Sequence, residues 1–444
     1  MAEIFFPLDK AELEFTASGG STVRRTVLPS GVRILSEAMP GSQSVSISFS
    51  VPVGSRDETG GHFGSTHFLE HLLFKGTEKR TALEIAIAFD SVGGSSNAAT
   101  GKEYTSYYAR VQDRALPLAI DVIADMLTSS KIDPTEFENE RTVILEELAM
   151  NDDDPEDVAH EAFSAALHGD HPLGRPIGGT NQTITDVTRD AVWEHYKANY
   201  RPQDLVIAAA GGVNHDELVR LVEQALSAAG WDLSVPAEPR DRRFIGDTFI
   251  PRAKTLDVIK RPISQTNILI GCQGLVADDE QRYDMAVLNT VLGGGMSSRL
   301  FQEIREKRGL AYSVYSFNQA YSDGAIFGLY AGCAPSKATE VTSLMWNELE
   351  KLANEGITSD ELDLARGNIS GSLALKFESS MARMNRLFSS EIHNGKFYDL
   401  DETILRYSQV TSQNVQKVAQ KLVSRERALV AVGDVDESAF KSFV

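Results

Sequence analysis

The sequence predicts an α+β protein that contains two copies of one mixed unit. Segments of alternating apolar and polar residues, typical of strands, are interspersed with longer segments whose apolar residues recur at helical spacing. A stretch near the middle of the chain, residues 232–252, contains three prolines and shows no period. When the second half is offset by about 220 residues, strand 265–271 lies over strand 45–51. A helix and a glycine-rich break follow both strands, so an internal α+β repeat explains the pattern.

The predicted division of the chain follows from this repeat. It comprises an N-terminal arm over residues 1–22, a first domain over 23–231, a linker over 232–252 and a second domain over 253–444. A length of 444 residues also suits about three domains. A third domain would need a second linker as clear as the first, and the sequence contains none.

The elements of the first half follow from periodicity and from helix signals. Val45, Ile47, Phe49 and Val51 alternate with serines, which predicts a strand with one buried face. Asp133-Pro134-Thr135-Glu136 combines an acidic cap with a first-turn proline, so a helix is predicted from there to about Met150. The other predicted elements are helices at 67–74, 83–92, 116–127, 156–168, 188–198 and 216–229, and strands at 104–111 and 205–210.

The second half repeats this order of strands and helices. Gly293-Gly294-Gly295 interrupts it after a helix, as Gly93-Gly94 interrupts the first half. The predicted strands are 255–260, 265–271, 311–317, 325–331 and 428–432, and the predicted helices are 283–292, 298–307, 336–355 and 359–377.

Composition excludes several classes of function. Asp and Glu number 63 against 43 Lys and Arg, which gives a net charge of −20 and argues against binding to nucleic acid or to an anionic membrane. Cys272 and Cys333 are too few for a disulfide framework or a cysteine-rich zinc site. The amino terminus lacks the basic and apolar regions of a signal peptide, and no apolar run reaches membrane-spanning length. We therefore expect a soluble cytoplasmic protein.

The segment His67-Phe68-Leu69-Glu70-His71 is the strongest functional motif. Residues i, i+3 and i+4 share one face of a helix, so two imidazoles and a carboxylate converge. Imidazoles at this spacing are good zinc ligands, and the carboxylate is placed to take a proton from a zinc-bound water. The order H-x-x-E-H is the signature of the inverzincins. The alternative is a buried, hydrogen-bonded histidine pair without a metal.

A catalytic zinc needs a third protein ligand from elsewhere in the chain. The helix predicted to begin at Asp133 places Glu140 and Glu147 seven residues apart, so they lie on one face. Glu146 is a competing neighbour that points about 100° away. The alternative for these carboxylates is a solvated acidic face with Arg141 as a partner.

Here the chain resembles the pitrilysin/insulinase (inverzincin) family of zinc metallopeptidases. The closest similarity is to the branch of the mitochondrial processing peptidases and their bacterial relatives. It extends over about residues 23–440 and rests on the motif, on Glu147 76 residues after it, and on further segments. These segments are Gly54-Ser55-Arg56-Asp57-Glu58, Phe74-Lys75-Gly76-Thr77, Asn97-Ala98-Ala99-Thr100, His171 to Thr180, Leu292 to Phe301, and Gly309-Leu310-Ala311-Tyr312.

The resemblance implies roles for individual residues. His67, His71 and Glu147 match the ligands of one zinc ion per chain, and Glu70 matches the general base. Glu140 matches a carboxylate that orients a ligand from behind. Arg305 and Tyr312 match a pair that contacts the substrate near the metal. The strand that binds the peptide along a sheet edge is matched by Asn97, Ala98 and Ala99. The alternative is that Arg305 is a helix-end arginine and Tyr312 a strand tyrosine, with no role in catalysis.

The resemblance also implies an architecture and an activity. Each domain would be a mostly antiparallel sheet packed with helices, and the two would face each other across a cavity. Domain 23–231 would be catalytic, and 253–444 would be an inactive copy that helps to bind substrate. The implied protein is a homodimeric zinc endopeptidase that cleaves extended peptides or unstructured protein segments. The alternative is a non-catalytic scaffold or partner subunit of a peptidase complex, for which the loss of at least one of His67, Glu70, His71 and Glu147 would be expected.

Overall fold

The computed structural model describes residues 4–243, 246 and 248–443. The strands are β1 (Ile4–Phe5), β2 (Glu12–Thr16), β3 (Thr22–Val27), β4 (Arg33–Ala38), β5 (Ser44–Val51), β6 (Ser95–Thr100), β7 (Thr105–Gln112), β8 (Val206–Gly211), β9 (Leu256–Lys260), β10 (Thr266–Gln273), β11 (Ala311–Ala320), β12 (Ala325–Cys333), β13 (Lys396–Phe397) and β14 (Arg427–Gly433).

The α-helices are distributed over both halves of the chain. They are α1 (Ser65–Leu72), α2 (Ala82–Asp90), α3 (Leu116–Ser129), α4 (Pro134–Asp153), α5 (Pro155–His168), α6 (Asn181–Asp186), α7 (Arg189–Asn199), α8 (His215–Ala228), α9 (Arg282–Gly293), α10 (Ala338–Glu355), α11 (Ser359–Lys376), α12 (Ser380–Ile392), α13 (Leu400–Ser408) and α14 (Ser412–Ser424). Within the described ranges, none of these helices combines the length and the apolar character that crossing a membrane requires.

The two mixed sheets share an order of five strands. The first runs β2-β3-β4-β8-β5-β7-β6, and the second runs β9-β14-β10-β12-β11. In each sheet one pair is parallel, β4 with β8 and β9 with β14, and the other neighbours are antiparallel. Strands β4-β8-β5-β7-β6 therefore correspond one to one to β9-β14-β10-β12-β11. The internal repeat and the α+β class are confirmed.

The two compact units of the chain are not consecutive in sequence. The first comprises Met1–Leu148, Pro176–Arg243 and Ala374–Glu402, and the second comprises Ala149–Arg175, Phe244–Leu373 and Thr403–Val444. The sequence predicts a single boundary, in the linker 232–252. The structure differs because each half of the chain contributes a helical segment to the other unit.

The exchanged helices each cover one face of a sheet. In the first unit, α1, α3 and α8 pack on one face, and α12 packs on the other through Met384, Leu387 and Phe388. In the second unit, α9, α10 and α14 cover one face, and α5 covers the other through Ala159 and Phe163. Each sheet is thus the middle of three layers.

This layering changes the environment of β5. Alternation predicts one solvent-exposed face for this strand, but Ser46, Ser48 and Ser50 are all buried. The Ser46 hydroxyl hydrogen-bonds the Ser380 hydroxyl of α12 at 2.8 Å, and Ser50 donates to Ser106 at 2.8 Å. Serine is tolerated here because each of these two hydroxyls has a buried partner.

The prediction of an arm over residues 1–22 was wrong for its described part. Residues of β2 pair with β3 at one edge of the first sheet, and β1 pairs with β13. The sequence pattern also predicts no element between 378 and 427, where the structure contains α12, β13, α13 and α14. The helix predicted over 298–307 is present, but it is wound as a π-helix over Phe301–Glu306.

Two buried carboxylates attach α12 to the first sheet. Glu391 lies within 3.1–3.6 Å of the guanidinium groups of Arg25, Arg33 and Arg242. Glu37 of β4 binds Arg383 and Arg386 of α12. Burial opposes ionisation of Glu37, but these two arginines outweigh it and lower its pKa. Because charges this deep in the protein need counter-charges, the two clusters fix which helix covers this face.

We expect the Glu391→Gln substitution to lower the free energy of unfolding by about 3–5 kcal/mol. It would leave the buried guanidinium groups of Arg25 and Arg33 without their anionic partner. Burial already lowers the pKa of Arg33, and Glu391 opposes that shift. Urea unfolding at pH 7 followed by circular dichroism measures the difference.

The matched control is Glu378→Gln, because Glu378 is exposed. It should stay within about 0.5 kcal/mol of the wild type. Equal stability of the two variants would show that the Glu391 cluster does not hold the helix in place.

Candidate metal centre

The helix α1 is fixed at its start by a capping carboxylate. Glu58 accepts hydrogen bonds from the backbone N–H groups of Gly64 and Thr66, at 2.8 and 2.7 Å. Gly64 has φ +90°, and a Cβ there would lie 2.4 Å from the Cδ1 atom of Ile184, so only glycine fits. The sharp entry and the satisfied amides set where the helix begins.

The apolar residues of α1 determine the direction of its polar ones. Phe68, Leu69 and Leu72 are buried in the core, so His67, Glu70 and His71 are left on the opposite side of the helix. The two imidazole rings lie 4.8 Å apart between centroids, with their planes inclined at 79°. The convergence of both rings on one side of the helix agrees with the spacing of the motif.

The helix α4 brings the third candidate ligand. The Oε2 atom of Glu147 lies 3.7 Å from Nε2 of His67 and 3.5 Å from Nε2 of His71. One ligand atom from each of the three residues lies within 4.8 Å of the others. Ligands bound at about 2.0–2.2 Å around a tetrahedral zinc are themselves about 3.3–3.6 Å apart, so the two distances from Glu147 are close to those of a zinc site.

Aromatic packing holds α4 against α1. The rings of Phe68 and Phe137 stack at 4.4 Å with an interplanar angle of 12°, and the guanidinium of Arg141 lies 4.8 Å from the centroid of Phe137. Arg141 also binds Glu138 at 3.0 Å and donates to backbone carbonyls. Arg141 therefore supports the helix packing, and the alternative in which it partners the Glu140–Glu147 stripe is not what the structure contains.

Glu140 supports the site from behind. Its side chain is only 4% exposed, and its Oε2 atom accepts a hydrogen bond from Nδ1 of His71 at 3.0 Å. Its other oxygen binds the ammonium of Lys75 at 2.6 Å. A proton held on Nδ1 leaves the lone pair on Nε2 of His71, which is the nitrogen nearest Glu147.

The environment of His67 favours the form that binds metals. Burial lowers its pKa, and the neighbouring His71 lowers it further, while Glu147 and Glu70 act in the opposite direction. The ring is therefore neutral near pH 7, as a metal ligand must be. Its Nδ1 atom is buried without a hydrogen-bond partner among the described residues.

Glu70 lies beside the ligands and is held by the sheet edge. Its carboxylate accepts a short hydrogen bond from the hydroxyl of Thr100, the last residue of β6. This bond ties the candidate base to the edge strand of the first sheet. Thr100 and Lys75 both stand in the segments that support the family resemblance, but sequence alone assigned no role to either, because their partners come from distant elements.

Arg305 and Tyr312 contact each other in the second unit. The guanidinium of Arg305 lies 4.7 Å from the ring centroids of both Tyr312 and Phe301, and Tyr312 is 76% exposed. A β-bulge between Ala311 and Ser313 re-aims Tyr312, and Arg305 lies on the π-helix. Such backbone irregularities are frequent at functional sites. Arg305 lies in the last turn of its helix and Tyr312 lies on a strand, as the alternative expects, and the two side chains also contact each other.

Comparison with known proteins gives the family. The family described as "Insulinase (Peptidase family M16)" matches residues 33–181, and "Peptidase M16 inactive domain" matches residues 186–369. An uncharacterized zinc protease of Streptomyces coelicolor is 46% identical over 94% of this chain and 91% of its own length. Another, from Bacillus subtilis, is 38% identical over 92% of this chain and 98% of its own.

This chain belongs to peptidase family M16. Solved structures share the fold of this M16 chain. A peptidase M16 inactive domain from Pseudomonas fluorescens aligns with a TM-score of 0.84 at 20% identity, covering 93% of this chain and 97% of that one. A protease from Helicobacter pylori aligns with a TM-score of 0.82 at 22% identity, covering 94% and 100%.

We expect Glu147→Gln to weaken zinc affinity more than about a hundredfold. Loss of a residue that only orients a ligand lowers metal affinity by about 10–100-fold, and loss of a ligand should cost more. The amide is neutral, so the ion loses the only carboxylate that lies near both imidazoles in the described site. Competition with a chromophoric chelator measures the affinity, and calorimetry checks that the fold is retained.

Glu146→Gln is the matched control, because Glu146 is the adjacent, exposed residue on the same helix. It should bind zinc as the wild type does. Normal zinc affinity in the Glu147 variant, or a loss in the Glu146 variant, would assign the third ligand elsewhere.

Proposed function

We propose that this M16 chain is a zinc-dependent endopeptidase that cleaves extended peptides or unstructured protein segments. The observation that carries the proposal is the convergence of His67, His71 and Glu147 beside the carboxylate of Glu70. Two imidazoles and one carboxylate are the protein ligands of many catalytic zinc sites, which leave a position open for chemistry. The names of the relatives as zinc proteases support the same activity.

Zinc bound by His67, His71 and Glu147 would supply a Lewis acid that polarises a carbonyl and lowers the pKa of water. Glu70 takes the proton from the attacking water on its free carboxylate oxygen, while the oxygen bonded to Thr100 keeps the group oriented. Glu70 then delivers the proton to the leaving amine nitrogen. Glu140 and Lys75 keep the His71 ring in one tautomer throughout.

The edge strand β6 is suited to bind the peptide backbone. It has β7 on one side only, and Asn97 and Ala99 are exposed. The backbone N–H of Ala98 donates to Oδ1 of Asn97 at 2.9 Å, so a side chain satisfies this group in the absence of a partner strand. Recognition through backbone hydrogen bonds depends little on sequence and therefore suits unfolded substrates.

The exposed Arg305–Tyr312 pair is a second part of the proposed machinery. A guanidinium and a phenol can bind the oxygens of a peptide and the negative charge that develops during hydrolysis. The family resemblance supports the further proposal of a homodimer in which this pair acts at the metal centre of the partner subunit. Symmetric dimers are the commonest assemblies of soluble proteins.

The alternative function is that of a non-catalytic scaffold or partner subunit. The match of residues 186–369 to an M16 inactive domain is compatible with it. The candidate ligands and base all lie outside that range. The match of residues 33–181 to the insulinase family contains them: His67, Glu70, His71 and Glu147. The complete set of ligands and base favours the peptidase. The cytoplasmic location expected from the sequence remains a prediction.

Replacing Glu70 by glutamine should lower kcat by about 10²–10⁴-fold, the range that a positioned acid–base group contributes. The amide accepts the Thr100 hydroxyl bond but cannot take a proton. Cleavage of an unstructured fluorogenic peptide by the purified zinc-loaded protein measures the rate.

Zinc content and melting temperature of this variant should match the wild type, because Glu70 is not a ligand. Undiminished turnover would contradict the mechanism, and loss of zinc would make Glu70 part of the metal site instead.

Complementation between inactive variants tests the shared site. Glu70→Gln lacks the base, and the double variant Arg305→Ala/Tyr312→Phe lacks the substrate-contacting pair. After subunit exchange, half of the dimers are mixed and each has one intact site, so about a quarter of wild-type activity should return. No recovery after confirmed exchange would place both parts in the same chain.

A further inference from the structure

A groove of ≈ 360 Å³ lies in the first unit between the β6–β7 hairpin and α12. Aromatic and aliphatic side chains form much of its lining, and short polar side chains and His393 line the rest. Its principal residues are Ala99, Tyr104, Tyr108, Asn385, Phe388 and Ser389. The helix α12 packs mainly on β8, β5 and β4. At the hairpin its Phe388 contacts Tyr104, with ring centroids 5.3 Å apart, and the groove lies beside this contact.

The corresponding space in the second unit is filled. There the edge strand β11 presents Tyr315 and Phe317 toward α5, and Tyr315 stacks on Tyr330 at 4.7 Å. The hydroxyl of Tyr315 donates a hydrogen bond to Glu156 of α5 at 2.7 Å, so this side chain spans the space between the edge strand and the helix. On the equivalent edge strand β6, the residues on this face are Asn97 and Ala99. The repeat thus has an aromatic filling in one copy and a vacant groove in the other.

The groove is continuous with the strand that we expect to bind the peptide. Side chains alternate between the two faces of a strand, so Thr100 points to Glu70 and Ala99 points to the groove. A peptide added to the edge of β6 alternates in the same way. When one of its side chains lies on the Glu70 face, the residues on either side of it face the groove.

We propose that this groove is a specificity subsite that accepts one aromatic or large aliphatic side chain of the peptide, within three residues of the cleaved bond. The proposal rests on the peptidase activity proposed above. The incoming side chain occupies the position that Phe317 and Tyr315 occupy in the other copy, against Tyr104, Tyr108 and Phe388. Asn385 and Ser389 form the wall on α12 and leave room for it.

The test fills the groove from the helix side. Ser389→Trp introduces an indole at an exposed position of the groove wall, and Asn385→Trp does so one turn earlier. Ser390→Trp is the control, since Ser390 is the next residue on the same helix and does not line the groove. The substrates are internally quenched peptides that differ only by Phe or Ala at one position within three residues of the cleaved bond.

The wild type should prefer Phe over Ala at one such position by about tenfold or more in kcat/KM. The groove variant to use, Ser389→Trp or Asn385→Trp, is the one that melts at the temperature of the wild type. In it the Phe/Ala ratio of kcat/KM should fall to within about twofold of one, while Ser390→Trp should keep the wild-type ratio. The ratio within each variant corrects for general losses of activity. If the wild type cleaves peptides without an aromatic preference, or if the preference survives both groove substitutions, the subsite is refuted. If the wild type cleaves none of the peptides, the peptidase proposal fails and the subsite falls with it.

Discussion

The candidate site depends on one packing contact, that of α4 on α1. Residues from two separate helices must bring three ligand atoms to one point, and the Phe68–Phe137 stack sets the distance between those helices. With α4 in place, Glu147 reaches both imidazoles, and Glu140 reaches the far nitrogen of His71. A shift of either helix by a fraction of a turn would separate the carboxylates from the rings, because ligands at coordination distance tolerate little displacement.

A second constraint is the exchange of helices between the halves of the chain. Each sheet carries helices of its own half on one face and one helix from the other half on the opposite face. In the first unit, the buried ion pairs of Glu37 and Glu391 favour α12 over any other helix on this face of the sheet. This helix forms one wall of the groove beside β6, so the exchange also shapes the surface next to the candidate site.

Local geometry predicted parts of the candidate site but not how they meet. The spacing of His67, Glu70 and His71 dictates a common helix face, and the seven-residue separation of Glu140 and Glu147 does the same. That Glu147 lies near the two imidazoles was implied only by the family resemblance, because it depends on the packing of one helix on another. The repeat was visible because strand 45–51 and strand 265–271 have the same pattern. The placement of α12 was not predictable, since amphipathic periodicity shows that a helix has a buried face but not which sheet it covers.

Other features escaped prediction for the same reason. The serines of β5 look solvent-exposed by alternation, but α12 packs on this strand and its Ser380 hydroxyl hydrogen-bonds Ser46. The contacts of Lys75 with Glu140 and of Thr100 with Glu70 join elements that are far apart in sequence. The irregular backbone around Arg305 and Tyr312 leaves no signal in the residue pattern, because bulges and π-helices arise from the packing of the surrounding elements.

Anomalous diffraction at the zinc absorption edge, from crystals of the metal-loaded protein, would locate the ion. We expect one strong anomalous peak per chain, with Nε2 of His67, Nε2 of His71 and a carboxylate oxygen of Glu147 at about 2.0–2.2 Å. A peak elsewhere, or an ion bound to the histidines with the Glu147 carboxylate well beyond this distance, would contradict this expectation.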